Sequence, residues 1–184
     1  MRNSLDQALL ERAKRFEAQA LEEIFDTYSS GIYRYAYRLL GDMELARECM
    51  SETFSRFLES LHRESGPNIY LQAYLYRIAH NWVTDYYRSN VPPSLPLDVD
   101  YRAEPEAEPH KVVAEHMMNE QVRSALSLLT PEQQQVIVLR YLEDWENDAI
   151  AKTMNKPVGA IKALQHRALE SLRRIMARYE DINV

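Results

Sequence analysis

The sequence has one cysteine, Cys49, in 184 residues. That excludes an internal disulfide framework, and since no Cys/His cluster has metal-ligand spacing, it also excludes a zinc module. Only 4 glycines are present and β-branched runs are scarce, which leaves little from which to build the tight turns and strands of a sheet. No apolar run approaches membrane-spanning length, and the opening MRNSLDQALLERAKRF lacks the apolar core and small-residue cleavage site of a signal peptide. The expectation is a chain neither exported nor inserted in a membrane, working in a reducing cytoplasm. His62, His80, His110, His116 and His166 form no motif with Cys49, and there is no Gly-rich phosphate loop or Ser/His/Asp signature. Nothing therefore points to an enzyme, a metal or a cofactor. Positive charge is also short, with a net charge of −6, which at first sight disfavours nucleic acid as a partner.

What is abundant is helix-forming: Leu, Ala, Glu, Arg, Met and Gln recur throughout, so the fold class is all-α. The charge is unevenly distributed. Residues 1–88 hold 13 acids and 11 bases, 89–116 hold 6 and 2, and 117–184 hold 9 and 9. Within the last segment, Lys156, Lys162, Arg167, Arg173, Arg174 and Arg178 face Glu170 alone, a local +5 over 156–178. From Ser89 to about His110 the chain reads SNVPPSLPLDVDYRAEPEAEPH, with five prolines and a run of acids; proline removes backbone donors, and repelling carboxylates keep such a segment extended. The expectation is two small helical domains, 1–88 and 117–184, joined by a flexible acidic linker, 89–116. Helical periodicity predicts helices over 6–38, 44–62 and 69–88, then about 112–129, 131–142, 145–154 and 157–179.

The C-terminal part reads as a helix-turn-helix from about Leu126 to Arg174. Thr130-Pro131-Glu132 supplies an N-cap, a proline at the first helical position and an acid in the first turn. Trp145–Met154 follows, then the break Asn155-Lys156, then a helix beginning at Pro157. In that last helix Ile161, Leu164, Ala168 and Leu172 share one apolar face, while Gly159, Lys162, His166 and Arg173 lie on the other. A short-sided N-terminal end with cations further along suits entry into a major groove.

A second face lies in the N-terminal half, in IYLQAYLYRIAHNWVTDYYR. Leu75, Ile78, Ala79, Trp82 and Tyr86 form an apolar stripe, and Tyr70, Tyr74, Arg77, Asn81 and Arg88 a second one. Rings, an amide and guanidinia on one face suit unstacked single-stranded DNA; packing of the tyrosines at a domain surface is the plainer alternative.

LYRIAHNWVTDYYR (Leu75–Arg88) resembles the segment of bacterial extracytoplasmic-function sigma factors that melts and reads the promoter −10 element. DMELARECMSETFSRF (Asp42–Phe57) resembles the same family's polymerase-binding helix, and Leu129–Arg174 its −35-reading domain. The resemblance implies a dissociable subunit that binds core RNA polymerase, directs it to promoter DNA and helps open the duplex, with a separate anti-sigma protein as regulator. Carried over by position, it implies that Glu48, Glu52, Phe54 and Arg56 grip the clamp helices of the largest polymerase subunit, in a window (41–61) of five acids and two bases. It implies that the loop His62–Asn68 and Asn81 capture a flipped base, with Tyr74, Arg77 and Arg88 along the strand. In the C-terminal half it implies that Lys156, Lys162, His166 and Arg167 meet phosphate and groove, and that Gly159, Ala160 and Ala163 lie nearest the bases. Cys49, Ser51 and Gln134 depart from the family's usual residues, and Ala163-Leu164 replaces its frequent Ser-Arg pair. The rival reading is a stand-alone helix-turn-helix regulator, for which the acidic helix and the Tyr/Asn/Arg stripe would have no use.

Overall fold

The structure is a computed structural model that describes residues 2–90 and 121–182. The expected linker, from residue 91, and the start of the helix expected at 112–129 lie outside these residues. The regular structure of the described residues is all helical, in eight elements: α1 Arg2–Lys14, α2 Ala18–Leu40, α3 Met43–His62, α4 Leu71–Asn90, α5 within 121–127, α6 Pro131–Ile137 continued by a π-helical turn Val138–Leu142, α7 Asn147–Met154 and α8 Val158–Ile182. No described helix is long and apolar enough to cross a membrane.

Local chemistry sets several of these ends. Gly41, at φ 73°, closes α2, its N–H donating to the Tyr37 carbonyl. Asp42 then caps α3 by accepting from the Leu45 N–H at 2.9 Å. Thr130 and Gln133 form a reciprocal capping box with Pro131 inside it, so α6 begins where the sequence predicts. Asn155, at φ 53°, ends α7, and Pro157 precedes α8. Asparagine tolerates that left-handed conformation better than other non-glycine residues, so the hairpin needs no glycine at its corner.

One predicted helix is two. The periodicity over 6–38 runs unbroken, yet the chain turns at Arg15-Phe16-Glu17, where Phe16 takes φ 56°. An ion pair from Arg12 Nε to Glu17 at 2.8 Å spans the turn. Neither Gly nor Pro marks the place, so the sequence carries no signal of it. The helix predicted from Trp145 starts instead at Asn147. The π-helical turn and Asp144, at φ 54°, hold Trp145 in the connection, with its N–H donating to the Leu139 carbonyl at 2.9 Å.

The N-terminal core gathers Leu10, Ile24, Ile32, Tyr35, Phe57 and Leu75 among α1–α4; the C-terminal core gathers Val136, Leu139, Ile150, Ile161 and Ala168. The two halves are also packed on one another, through the C-terminal part of α2 and one side of α4. Trp145 lies on Tyr76 with ring centroids 4.6 Å apart, and Lys152 sits 4.8 Å over the Tyr70 ring. Glu143, its side chain only 6% exposed, meets Arg38 at 2.6 Å and Arg34 at 3.9 Å. Arg123 lies 5.6 Å over Tyr37 and fills the space beside Gly41. Burial pushes the Glu143 carboxyl upward while Arg38 and Arg34 pull it back.

His80 lies at this junction, 2.7 Å from the Tyr35 hydroxyl through Nδ1. Burial pushes its pKa from 6.5 down to about 4, partly offset by the Pro131 backbone and the Glu132 charge. The unfolded chain therefore binds a proton between those two values that the folded protein refuses. Stability attached to His80 is complete above pH 6.5 and is lost as the pH falls towards 4. The loss amounts to about 3 kcal/mol. Urea unfolding at stepped pH should show this decline in the native protein and not in His80→Gln; equal slopes in both would remove His80 as its source.

Candidate functional site

The face of α4 that carries the predicted DNA residues points to solvent. Arg77, Asn81 and Arg88 are exposed, and spacings of four and seven keep them on one side of the helix. Tyr74 is different. It is half-buried, edge-on to Phe57 at 6.4 Å, with the Arg77 guanidinium 5.4 Å over its ring. One ring face is thus occupied by a cation that could itself reach a phosphate. Arg88 is 3.5 Å from Asp85, an exposed pair worth little.

The apolar stripe of α4 is displaced from the one read in the sequence. Leu71, Leu75, Ala79 and Val83 are fully buried, and Tyr76 and His80 are buried beside them. Trp82 and Tyr86 are instead half-buried, their rings stacked 5.7 Å apart. Tyr76 and His80 escaped the sequence reading because an aromatic hydroxyl and an imidazole look like surface groups. Here they complete one another with Tyr35, whose ring is 5.4 Å from Tyr76. Burial drives both tyrosine hydroxyls well above their ordinary pKa, so they stay neutral.

On α3, Glu48, Glu52 and Arg56 follow one another at four-residue spacing, with Arg56 Nε donating to Glu52 at 2.8 Å. Glu48 and Arg56 are exposed and Glu52 half-exposed. Phe54, placed on this gripping face by the resemblance, is corrected by the structure: it is only 8% exposed and lies under Phe25, with centroids 4.8 Å apart. Phe25, at 44% exposure, is the ring presented there, and Leu58 is a second exposed apolar side chain. A lone apolar residue in an acidic helix gives no sign of which partner covers it, so the exchange was not readable. Cys49 faces inward, its thiol pushed up to about 12 by burial.

In the hairpin, Ile161, Leu164 and Ala168 are buried as predicted, with Leu172 packed at the edge. Gly159, Ala160, Lys162, Ala163, His166 and Arg167 are exposed together on the outer face, with Arg173 and Arg174 further along. Lys156 is partly engaged by Glu132 at 3.0 Å, and His166 lies 3.7 Å from Glu170. No atom lies within 4 Å of a Cβ placed on Gly159, so the glycine keeps the surface low without being required by packing. Leu164, where the family's frequent arginine is missing, is 6% exposed and belongs to the core. Sequence reasoning missed Gln165, which is buried and donates through Nε2 to Asn147 Oδ1 at 2.6 Å. This bond ties the N-terminal part of α8 to the first turn of α7 and so fixes how the outer face is presented. No group of His, Cys, Asp or Glu among the described residues could hold a metal.

Comparison with known proteins bears on both faces. Residues 24–91 match the family described as Sigma-70 region 2, and residues 125–174 match Sigma-70, region 4. The chain is 35% identical over 173 residues to the ECF RNA polymerase sigma factor BldN of Streptomyces coelicolor, covering 91% of this chain and 64% of that protein. It is 28% identical over 176 residues to the ECF RNA polymerase sigma factor SigW of Bacillus subtilis, covering 90% of this chain and 93% of that one. Among solved structures, CnrH in complex with the cytosolic domain of CnrY is similar with a TM-score of 0.67 at 19% identity, over 94% of this chain and 97% of that chain. At that identity the likeness speaks for the fold.

Proposed function

The chain belongs to the sigma-70 family as an extracytoplasmic-function sigma factor, and from that premise we propose how its two halves share the work of starting transcription. Residues 1–88 bind core RNA polymerase and read the −10 element; 117–184 read the −35 element. Glu48, Glu52 and Arg56, with the exposed Phe25 beside them, form the polymerase face. Arg77, Asn81 and Arg88 hold the strand that becomes single, the loop His62–Asn68 captures a flipped base with Asn81, and Tyr74 serves as the support for Arg77. Lys162, His166 and Arg167 meet the backbone and groove of the duplex, and Lys156 joins them by exchanging Glu132 for phosphate. Gly159, Ala160 and Ala163 allow the start of α8 to approach the base edges closely.

The observation that carries this reading is the pairing, in one chain, of two outward faces of different character. The amide and guanidinium row on α4 suits an unpaired strand, and the basic outer side of α8 suits a duplex. The chain performs no covalent chemistry in this scheme; bond formation belongs to the polymerase, in the cytoplasm. A separate inhibitory protein is a further partner, as the family resemblance implies.

Gel filtration with core polymerase, followed by run-off transcription, tests the proposal. Co-elution and promoter-dependent transcripts are expected. A stand-alone regulator would bind DNA but neither co-elute nor support initiation, and that result would replace the present reading.

A further inference from the structure

Helix α1 has no part in the two faces above, yet its end reaches the loop that leads into α4. Leu9, Leu10 and Ala13 bury one side of α1 in the N-terminal core, and the helix rests against both α3 and α4. Its last residues then contact the loop at two separated points. Lys14 Nζ donates to Asn68 Oδ1 at 3.1 Å, and the Phe16 ring stands edge-on to His62 at 6.1 Å.

Each half of the loop is held differently. The first half is tied to α3 by its own backbone: the Glu64 N–H donates to the Leu61 carbonyl at 3.0 Å and the Ser65 N–H to the Ser60 carbonyl at 2.9 Å. For Gly66–Ile69, the Lys14 bond is the one hydrogen bond present among the described residues. Phe16 is a non-glycine residue in the left-handed region, a conformation that costs energy and persists where surroundings impose it. That backbone ends α1 and directs the exposed ring onto His62 rather than into the core. Lys14 also pairs with Glu11 at 2.9 Å, which limits where its ammonium can go.

We propose that α1 is a positioning element for base selection, with Lys14 and Phe16 bracing the His62–Asn68 loop against the strand held by Asn81. The inference rests on the reading of that loop as a base-capturing element. The brace touches no DNA; it narrows the positions the loop can take, so its removal blurs discrimination between bases more than it weakens binding.

The test is run-off transcription with core polymerase on templates differing one base at a time across the −10 element. The proteins are native chain, Lys14→Ala, Lys14→Ala with Phe16→Ala, and Lys14→Arg. The ratio of initiation between the preferred template and its single-base variants should fall roughly three- to tenfold in the alanine proteins, the size of one lost hydrogen bond. Lys14→Arg should restore most of it. Polymerase affinity should stay unchanged for Lys14→Ala, and its melting temperature should fall only slightly, since the half-buried Lys14 side chain contributes the Glu11 and Asn68 contacts alone. A companion protein with Ser65, Pro67 and Asn68 all replaced by alanine separates the two claims. If it loses selectivity while both alanine variants of the brace keep theirs, the brace is wrong and the loop reading survives. If selectivity is untouched in every protein, the loop does not read bases and the proposal falls with it.

Discussion

Asn81→Ala leaves polymerase affinity and folding intact and slows promoter opening roughly 10- to 100-fold, the equivalent of about 1–3 kcal/mol for a lost side-chain contact to a base edge. The expectation follows from where Asn81 stands. It is exposed, between Arg77 and Arg88 on the outer side of α4, while Ala79 and His80 beside it are buried. Truncating a surface side chain with no packing role changes stability by no more than about 0.5 kcal/mol, so a change in opening reports on DNA. Stopped-flow detection of strand separation, with polymerase binding measured in parallel, gives the two quantities independently. Loss of both at once would make Asn81 a structural residue.

Phe57→Ala should have the largest effect on the fold, about 3–5 kcal/mol, against a total stability of roughly 5–15 kcal/mol for a domain. Phe57 is 1% exposed and lies where α3 meets α4, edge-on to Tyr74. Its removal leaves a cavity between α3 and α4 and takes the support from Tyr74, over which Arg77 lies. The variant should therefore lose polymerase binding and opening together, the opposite pattern to Asn81→Ala. Ser55→Ala, an exposed change two residues away, serves as the comparison. A urea midpoint for Phe57→Ala equal to that of Ser55→Ala would show that this core tolerates collapse.

Much of this architecture is legible in the sequence because it is written in short-range chemistry. Thr130-Pro131 sets the start of α6 and Asp42 that of α3, and the spacing of Ile161, Leu164 and Ala168 sets the inner face of α8. What could not be read depends on partners distant in the chain. The turn at Phe16 has no breaker residue; its ring rests on His62. Burial of His80 depends on Tyr35, and burial of Phe54 on Phe25. Of the candidate site, the exposed set on α4 and α8 emerged from periodicity plus the resemblance, whereas Gln165, which orients α8, looked like one more polar residue on a helix. The acidic linker suggested independent domains; nothing in its composition foretells that Glu143 lies between Arg34 and Arg38.

That buried carboxylate has a consequence for affinity. Promoter elements at −35 and −10 lie about 25 base pairs apart, roughly 85 Å at 3.4 Å per step. A compact chain of this size has a radius of gyration of only about 16 Å, so a protein with its halves docked cannot span both elements. Docking and promoter spanning are then competing equilibria, and the fraction of undocked molecules multiplies the intrinsic affinity for DNA. Each ~1.4 kcal/mol of docking free energy held in the Glu143 and Trp145 contacts lowers apparent promoter affinity tenfold. On the proposed reading, what a polymerase supplies at α3 therefore includes the work of parting α7 from α4.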